Sequence, residues 1–400
     1  MKKKMMITCT VVLVTAAVIL GFVLKNQVRE NPDKNTVNVA IGQWGTTQNE
    51  SQNYWNPDNH AVAKGMGDYY FIQTTDGISK IAFFDETTQE AVAVCAKPEC
   101  THSDNTCNAY LCDMKQTGSA LYLTDTIYCY NGYLYLIQCE GGMGKLVRIH
   151  TDGSARETIA DLFANTGVSS ISLVFHENDV YAYDDTGHAG QEEEAEEVIK
   201  KISLTDGTEQ TVFSYTGTGA SIDRGRSFGD KLYFVIREYT KNKETKAVSS
   251  DYKGLFEYDF ATGDTRKVID ADVCDYHADT ENQTLFYFVQ GTGLYAYDMT
   301  QGSNTLIYPA EDELIQCKMS YDGKNLYLFN NGAGRATETK TRTQRYCYVL
   351  DTKGNQIAKI LCNGVVYFGD TDYLFEENGD NLEYMKKENL SDKSEWIQVN

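Results

Sequence analysis

Four cysteines and one histidine lie within 18 residues of one another, from Cys95 to Cys112. Thiolate sulfur and imidazole nitrogen are ligands that tetrahedral zinc prefers in proteins. The spacing suggests a Cys₃His site formed by Cys95, Cys100, His102 and Cys107. Cys112 could replace His102, which would give a Cys₄ site. One hypothesis is therefore a structural zinc ion that holds this segment together.

A second hypothesis is that the same cysteines form disulfides, which are common in exported proteins. Only Cys9 of the 11 cysteines precedes residue 25, so an even number remains to form pairs. A disulfide has no use for His102, and the histidine therefore distinguishes the two hypotheses. The spacing does not match iron–sulfur patterns, and no catalytic acid, base or substrate pocket is recognisable beside it. The sequence leaves zinc and disulfides open.

The elements that would position these residues form a sevenfold repeat. A short apolar run follows a turn seven times, at Asp68–Ile72, Gly132–Ile137, Asp179–Tyr183, Lys231–Val235, Thr284–Phe288, Asn325–Phe329 and Asp372–Phe375. A strand-like segment, a polar turn and a further strand follow each run. Four short strands per repeat predict an all-β fold, a seven-bladed β-propeller, with six or eight blades as alternatives.

The predicted blades, each with strands a to d, span residues 60–95, 113–165, 168–216, 219–270, 272–309, 313–362 and 364–400. The last d strand ends beside the final residue, Asn400. We therefore expect the N-terminal segment to help close the ring, through Val37–Ile41 or Ala61–Ala63. Closure of the ring would protect exposed sheet edges from aggregation.

The topology predicts two unlike faces of the disc. The a–b and c–d turns lie on one, the turn face, and the b–c loops and d-to-a crossings on the other, the loop face. Three b–c loops are predicted to be long: Asp184–Glu197, Arg237–Lys253 and Asn330–Arg345. The first is acidic and the other two are basic. Because recognition usually resides in loops on a rigid scaffold, the loop face, with the cysteine segment as a d-to-a crossing, is the predicted binding surface.

The N-terminus has the pattern of a membrane anchor. Three lysines, Lys2–Lys4, precede an uncharged stretch from Met5 to Leu24, which is long enough to cross about 30 Å of hydrocarbon as a helix. Such a tail predicts a cytoplasmic N-terminus and an extracellular C-terminal domain; a cleaved signal peptide is the alternative. The predicted organisation is an anchor at 1–25, a polar stalk or ring-closing segment at 26–59, and a propeller ectodomain at 60–400.

Composition limits the partners. The formal net charge of −21 excludes a general role in nucleic-acid binding, because a phosphate backbone would be repelled. It also disfavours flat binding to an anionic membrane surface. The membrane contact is therefore assigned to the N-terminal helix alone.

The segment Cys95-x-Lys97-Pro98-x-Cys100-x-His102-x₄-Cys107, behind an N-terminal anchor, resembles a group of surface proteins of anaerobic Gram-positive bacteria. Those proteins are similar to families of unknown function assigned β-propeller folds. The resemblance implies export and a propeller, and its three cysteines with a histidine favour metal. Members of the group often begin with a lipid-attachment cysteine, which this chain lacks.

No linear catalytic motif is present: the chain has no Gly-x-Ser-x-Gly elbow, His-Glu-x-x-His pair or phosphate-binding glycine loop. We therefore expect a cell-surface binding module for a protein or glycan of the cell envelope or its surroundings. The alternative is a propeller-type hydrolase or lyase that acts on polysaccharide or peptide at the central channel. A channel lined by paired carboxylates and aromatic rings would favour the enzyme, and one lined by small apolar or plugged side chains would favour binding.

Overall fold

The computed structural model describes residues 52–53, 61–65, 67–113, 121–164, 171–184, 193–241, 248–330, 344–379, 381–388 and 390–399. All of them belong to one compact unit, Asn38–Asn400. Within these ranges 29 strands form seven antiparallel sheets, each built from strands that are consecutive in the chain. The fold is a seven-bladed β-propeller, as the repeat predicted.

The first three blades follow one another in chain order. Blade 1 contains β1 (Val62–Lys64), β2 (Tyr69–Thr75), β3 (Ile78–Asp85), β4 (Glu90–Ala93) and an extra strand, β5 (Tyr110–Asp113). Blade 2 contains β6 (Leu121–Tyr130), β7 (Tyr133–Glu140), β8 (Met143–His150) and β9 (Glu157–Ala164). Blade 3 contains β10 (Ile171–His176), β11 (Asp179–Asp184), β12 (Glu194–Ser203) and β13 (Glu209–Thr218).

The remaining four blades repeat the pattern. Blade 4 contains β14 (Ser221–Phe228), β15 (Lys231–Lys241), β16 (Val248–Asp259) and β17 (Thr265–Ile269). Blade 5 contains β18 (Val273–Asp279), β19 (Thr284–Val289), β20 (Gly293–Asp298) and β21 (Ser303–Pro309). Blade 6 contains β22 (Lys318–Tyr321), β23 (Asn325–Phe329), β24 (Arg345–Asp351) and β25 (Gln356–Cys362). Blade 7 contains β26 (Val365–Tyr367), β27 (Tyr373–Asn378), β28 (Asn381–Lys386) and β29 (Ile397–Gln398).

The apolar runs found in the sequence are the b strands, and they are buried on both sides. In β19, for example, Leu285, Phe286, Tyr287 and Phe288 are all at most 2% exposed. A strand between two neighbours in its own sheet, with a further sheet against each side, has no polar face. This explains why these runs are continuously apolar and aromatic and do not alternate.

Apolar clusters fill the seams between adjacent blades. Between blades 7 and 1, Tyr69 and Phe84 pack against Tyr373 and Phe375, with ring centroids 5.2 to 6.3 Å apart. Aromatic pairs at such distances add stabilisation beyond the area that they bury. This seam brings the two ends of the repeat together.

Ring closure differs in part from the sequence expectation. Ala61–Ala63 does supply a strand, but this strand, β1, is the innermost strand of blade 1 itself and pairs with β2. Blade 7 is completed by its own β29. Since β29 can pair with β28 in sequence order, no strand from the other end is needed. The other candidate, Val37–Ile41, lies outside the described residues.

The long b–c connection of blade 4 was wrongly assigned as a loop over its whole length. β15 and β16 continue as a paired hairpin as far as Lys241 and Val248. Its charged residues are held by partners along the strands: Arg237 Nε lies 2.8 Å from Asp223 Oδ2, and Lys253 Nζ lies 2.7 Å from Glu238 Oε2. Only residues 242–247 separate the two strands.

The predicted anchor, Met5–Leu24, lies outside the described residues. Among the residues that the structure does describe, no helix is long and apolar enough to cross a membrane.

Candidate metal centre and channel cluster

The cysteine segment is an excursion from the outer edge of blade 1. β4 pairs with the second half of β3, and β5 pairs with the first half. At the junction, Ile81 O accepts from Val94 N at 3.0 Å, and Ile81 N donates to Ala109 O at 2.8 Å. Residues 95–108 therefore form a long loop that leaves and rejoins the same strand edge. The two ends of the loop lie close together because both hydrogen-bond to Ile81.

Four side chains of this excursion converge. The ligand atoms of Cys95, Cys100, His102 and Cys107 all lie within 4.8 Å of one another. His102 Nδ1 lies 3.3 Å from Cys107 Sγ. Tetrahedral zinc, with bonds of about 2.0 to 2.3 Å, places its ligand atoms about 3.3 to 3.8 Å apart. Four donors that lie this close together could hold such an ion, and they are the four that the sequence suggested.

The local backbone is shaped to bring the donors together. Glu99 and His102 have φ values of 59° and 55°, a region that residues other than glycine seldom adopt. A turn from Asp104 to Cys107 follows, in which Asp104 Oδ1 accepts from Thr106 N at 2.9 Å and Cys107 N donates to Asp104 O at 3.1 Å. These features direct His102 and Cys107 toward each other.

The electrostatics of the four donors are unequal. The backbone N–H of His102, which donates to Cys100 sulfur, lowers the pKa of that thiol. Burial raises the pKa of Cys107 to about 11 and lowers the pKa of His102. The histidine is therefore neutral and has a lone pair to offer, as a metal ligand requires.

Cys112 does not belong to the converging group. It lies in β5, where its backbone is opposite Ser79, and it is buried. None of the ten cysteines in the described residues forms a disulfide in this structure. Cys347 faces Ile360, and its register partner is not Cys362. Cys274 and Cys317 are buried thiols.

The position of the centre on the disc corrects the prediction that it lies on the loop face. Asn108 Nδ2 donates to Gly153 O at 2.9 Å, and a side chain at Gly153 would lie 2.4 Å from Val94 O. Gly153 belongs to the c–d turn of blade 2, so the excursion packs at the rim on the turn-face side. The sequence pattern misplaced it because the pairing of β5 with β3 makes the segment part of blade 1 and not a simple crossing.

Cys107 anchors the excursion in the seam between blades 1 and 2. It is 1% exposed and packs with Val94 and Ala109 against Leu134 and Ile149 of blade 2. An ion held by Cys107 and its three neighbours would fix this seam at the rim.

A second polar cluster lies in the central channel and was not predicted. Arg226 of β14 donates to Asp275 Oδ1 at 2.6 Å and to Tyr276 O at 2.5 Å, both in blade 5. Its other terminal nitrogen donates to Met319 O of blade 6 at 2.8 Å. Asp275 also accepts from Met319 N at 2.7 Å. One buried ion pair thus links the innermost strands of three blades.

The turn-face end of the channel contains residues from the N-terminal part of the chain. Gln52 and Asn53, within the predicted segment 26–59, hydrogen-bond to the innermost strands of blades 3 and 4. Asn53 O lies 3.0 Å from His277 Nε2 of blade 5, and burial lowers the pKa of that histidine to about 3. His277 is therefore a neutral structural contact of Asn53.

No protein-family model matches the chain, and no curated protein matches it in sequence. Among solved structures, it is similar to a chain of the mitotic checkpoint complex, with 8% identity, a TM-score of 0.48, and coverage of 87% of this chain and 98% of that chain. It is similar to BamB from Moraxella catarrhalis, with 11% identity, a TM-score of 0.43, and coverage of 82% and 84%. It is also similar to TolB from Acinetobacter baumannii, with 14% identity, a TM-score of 0.42, and coverage of 83% and 79%. The fold assignment here depends on the seven sheets themselves and not on these distant likenesses.

Proposed function

We propose that this chain is a membrane-tethered binding module that acts outside the cytoplasm, with a zinc ion fixing the rim of its propeller. The observation that carries the choice of binding over catalysis is the filled channel. Gln52 and Asn53 occupy its turn-face end, and Arg226 and Asp275 form an ion pair within it. A plugged channel with paired charges supports a scaffold that presents loops.

The partner is a protein or glycan of the cell envelope or its surroundings, and it binds the loop face. The parts of the long b–c connections that would contact it, residues 185–192, 242–247 and 331–343, lie outside the described residues. The N-terminal anchor, as the sequence pattern suggests, would hold the domain at the membrane. Fold alone does not assign a ligand, so the partner class is supported by the charge and loop arguments only.

The binding proposal can be tested with full-length protein cross-linked on intact cells. A variant in which residues 331–343 are replaced by a short glycine-containing turn should lose the captured partner. The matched control carries substitutions in a c–d turn on the opposite face, at Thr205 and Asp206, and should keep it. Capture that is unchanged by loop replacement would refute the loop face as the binding surface.

The zinc is proposed to be structural, held by Cys95, Cys100, His102 and Cys107. A metal of this kind needs deprotonated thiols and a neutral imidazole, and it stabilises the segment whose ends it joins. The surroundings contain backbone turns and packed apolar side chains, which support a structural role. When bound, the ion would supply a crosslink between the excursion and the seam of blades 1 and 2.

Metal analysis of the purified full-length protein tests this assignment. We expect about one zinc ion per chain, lost in Cys107→Ser and retained in Cys112→Ser, which changes a buried cysteine outside the group. Thiol titration before and after chelation should show that Cys95, Cys100 and Cys107 become reactive only when zinc is removed. Metal-free protein with any of these three in a disulfide would favour the alternative hypothesis.

A further inference from the structure

The side-chain amide of Gln52 pairs with a strand edge in the way that the backbone of a neighbouring strand would. Its side-chain amide donates from Nε2 to Phe175 O at 2.8 Å and accepts at Oε1 from Phe175 N at 2.9 Å. Phe175 lies in β10, the innermost strand of blade 3, which pairs with β11 on its other side. Gln52 therefore satisfies both backbone groups of a residue on the edge that faces the channel.

Asn53 contacts the next two blades, one through a strand carbonyl and one through a histidine side chain. Its Nδ2 donates to Ser227 O of β14 at 2.5 Å, and its backbone oxygen lies 3.0 Å from His277 Nε2 of β18. Asn53 is 2% exposed and His277 is 3% exposed. Phe228 and Tyr321 hold the imidazole edge-on, with ring centroids 5.1 and 6.0 Å away. The polar groups that receive Asn53 are thus fixed in place by packing.

The innermost strands explain why amide side chains suit this position. Each of these strands pairs with only one neighbour in its own sheet, so its other edge presents N–H and C=O groups to the channel. Such groups need partners when they are buried. A side-chain amide carries a donor and an acceptor in the geometry of a peptide group, and it can pair with an edge where a whole strand does not fit.

We propose that the turn-face end of the channel is a peptide-docking site that recognises a segment with adjacent glutamine and asparagine side chains. Gln52–Asn53 is the ligand that the chain itself supplies, and a peptide of the same chemistry from another molecule can take its place. The site lies on the opposite face from the predicted binding loops. It is therefore independent of the partner assigned above.

A labelled peptide with the sequence of residues 46–58 tests the proposal against two full-length proteins, the wild type and Gln52→Ala/Asn53→Ala. In the wild type the tethered segment competes at high effective concentration. We expect the peptide to bind the double variant at least about tenfold more tightly than the wild type, because the tethered competitor is removed. In a control peptide, alanine replaces both Gln52 and Asn53, and the similar pair Gln48–Asn49 is kept. This peptide should bind the double variant at least about tenfold more weakly than the unchanged peptide does.

A second variant helps to distinguish release of the tethered segment from a folding defect. Asn53→Asp keeps the size of the side chain and replaces the donor that faces Ser227 O with a carboxylate, so it should also release the tethered segment. Circular dichroism would establish that each variant is folded before peptide is added. Equal affinity for the wild type and a folded variant, or equal binding of the control peptide, would overturn the proposal.

Discussion

The excursion of blade 1 and the channel cluster of blades 4 to 6 are both buried or half-buried polar sites, but they are built on opposite principles. In the channel, a cation faces an anion: Arg226 pairs with Asp275, and backbone groups of Tyr276 and Met319 also hydrogen-bond to the pair. In the excursion, Cys95, Cys100, His102 and Cys107 turn electron-pair donors toward one another. The first arrangement contains its own counter-charge, whereas the second is stabilised when the donors share a cation.

This difference distinguishes a polar cluster that stabilises the fold from a polar cluster that can bind a ligand. A buried charge pair with good geometry resists change because removing one partner leaves the other unpaired. A group of like donors gains stability from a species that accepts electron pairs, which is a metal ion for thiolates and a proton for carboxylates. The two regions should therefore respond to different perturbations.

The largest effect should follow removal of the channel charge. Asp275→Asn leaves Arg226 buried without a counter-charge and should lower the free energy of unfolding by about 3 to 5 kcal/mol. Urea denaturation measures the loss. The double variant Asp275→Asn/Arg226→Met removes both charges and should recover a substantial part of it. If the single variant is as stable as the wild type, the pair does not contribute as described.

Chelation should open the excursion and leave the blades folded. Glu99 is exposed, so a protease specific for glutamate reports on opening of the loop. A chelator should increase cleavage after Glu99 by about a hundredfold, because zinc at roughly 100 times its dissociation constant lowers the open population by that factor. In Cys107→Ser, cleavage should be fast with or without chelator. Cleavage that ignores the chelator in the wild type would argue against a bound metal.

A third cluster, a buried pair of carboxyl groups, tests whether a proton can stabilise a group of like donors. Glu376 is fully buried and lies opposite Glu383, and it accepts from the backbone N–H groups of Asn363 and Gly364. Burial, together with the hydrogen bond and charge of Glu383, raises the pKa of Glu376 to about 7. The folded protein thus keeps a proton that the unfolded chain releases at about 4.3.

The direction of the pH effect follows from that proton. Between about pH 4.5 and pH 7 the folded state binds more protons than the unfolded state. The contribution of this pair to the free energy of unfolding should therefore fall as the pH rises. We expect a loss of about 1 to 2 kcal/mol between pH 5 and pH 7, and Glu376→Gln should remove it. Urea denaturation across this range is the measurement. A wild-type profile for this interval that matches the variant would contradict the assignment.

The smallest effect should come from the turn beside the proposed metal ligands. Asp104→Ala removes hydrogen bonds to Thr106 N and Oγ1, of 2.9 and 2.6 Å, from an exposed position. Zinc stoichiometry should stay at about one, and zinc affinity should fall by less than about tenfold. Competition with a coloured chelator measures the affinity. A loss of the metal itself would mean that this turn is essential to the site.

The sequence predicted the elements that depend on local pattern. The seven b strands could be found because each is apolar on both sides, and the ligand set could be found because four donors fall within a short segment. The face that carries the excursion could not be found, since it depends on β5 returning to β3. Arg226 and Asp275 are 49 residues apart and in different blades, so no local signal joins them.

The same limit applies to charge. Arg237 was expected to be part of a basic loop surface, but it is matched by Asp223. Lys253, farther along the same paired hairpin, is likewise matched by Glu238. A charged residue has the same appearance in the sequence whether it faces solvent or a partner on a neighbouring strand. Gln52 and Asn53 were missed for a related reason, because a polar pair outside the repeat carries no sign of its contacts.

The seam between blades 7 and 1 differs from the other six because no covalent connection crosses it. Aromatic rings and the contact of Lys64 and Tyr69 with Asp370 are what join the two blades there. Under mechanical load, blades 7 and 1 should separate from each other first. The other blades should stay connected in chain order, because the polypeptide joins each of them to the next.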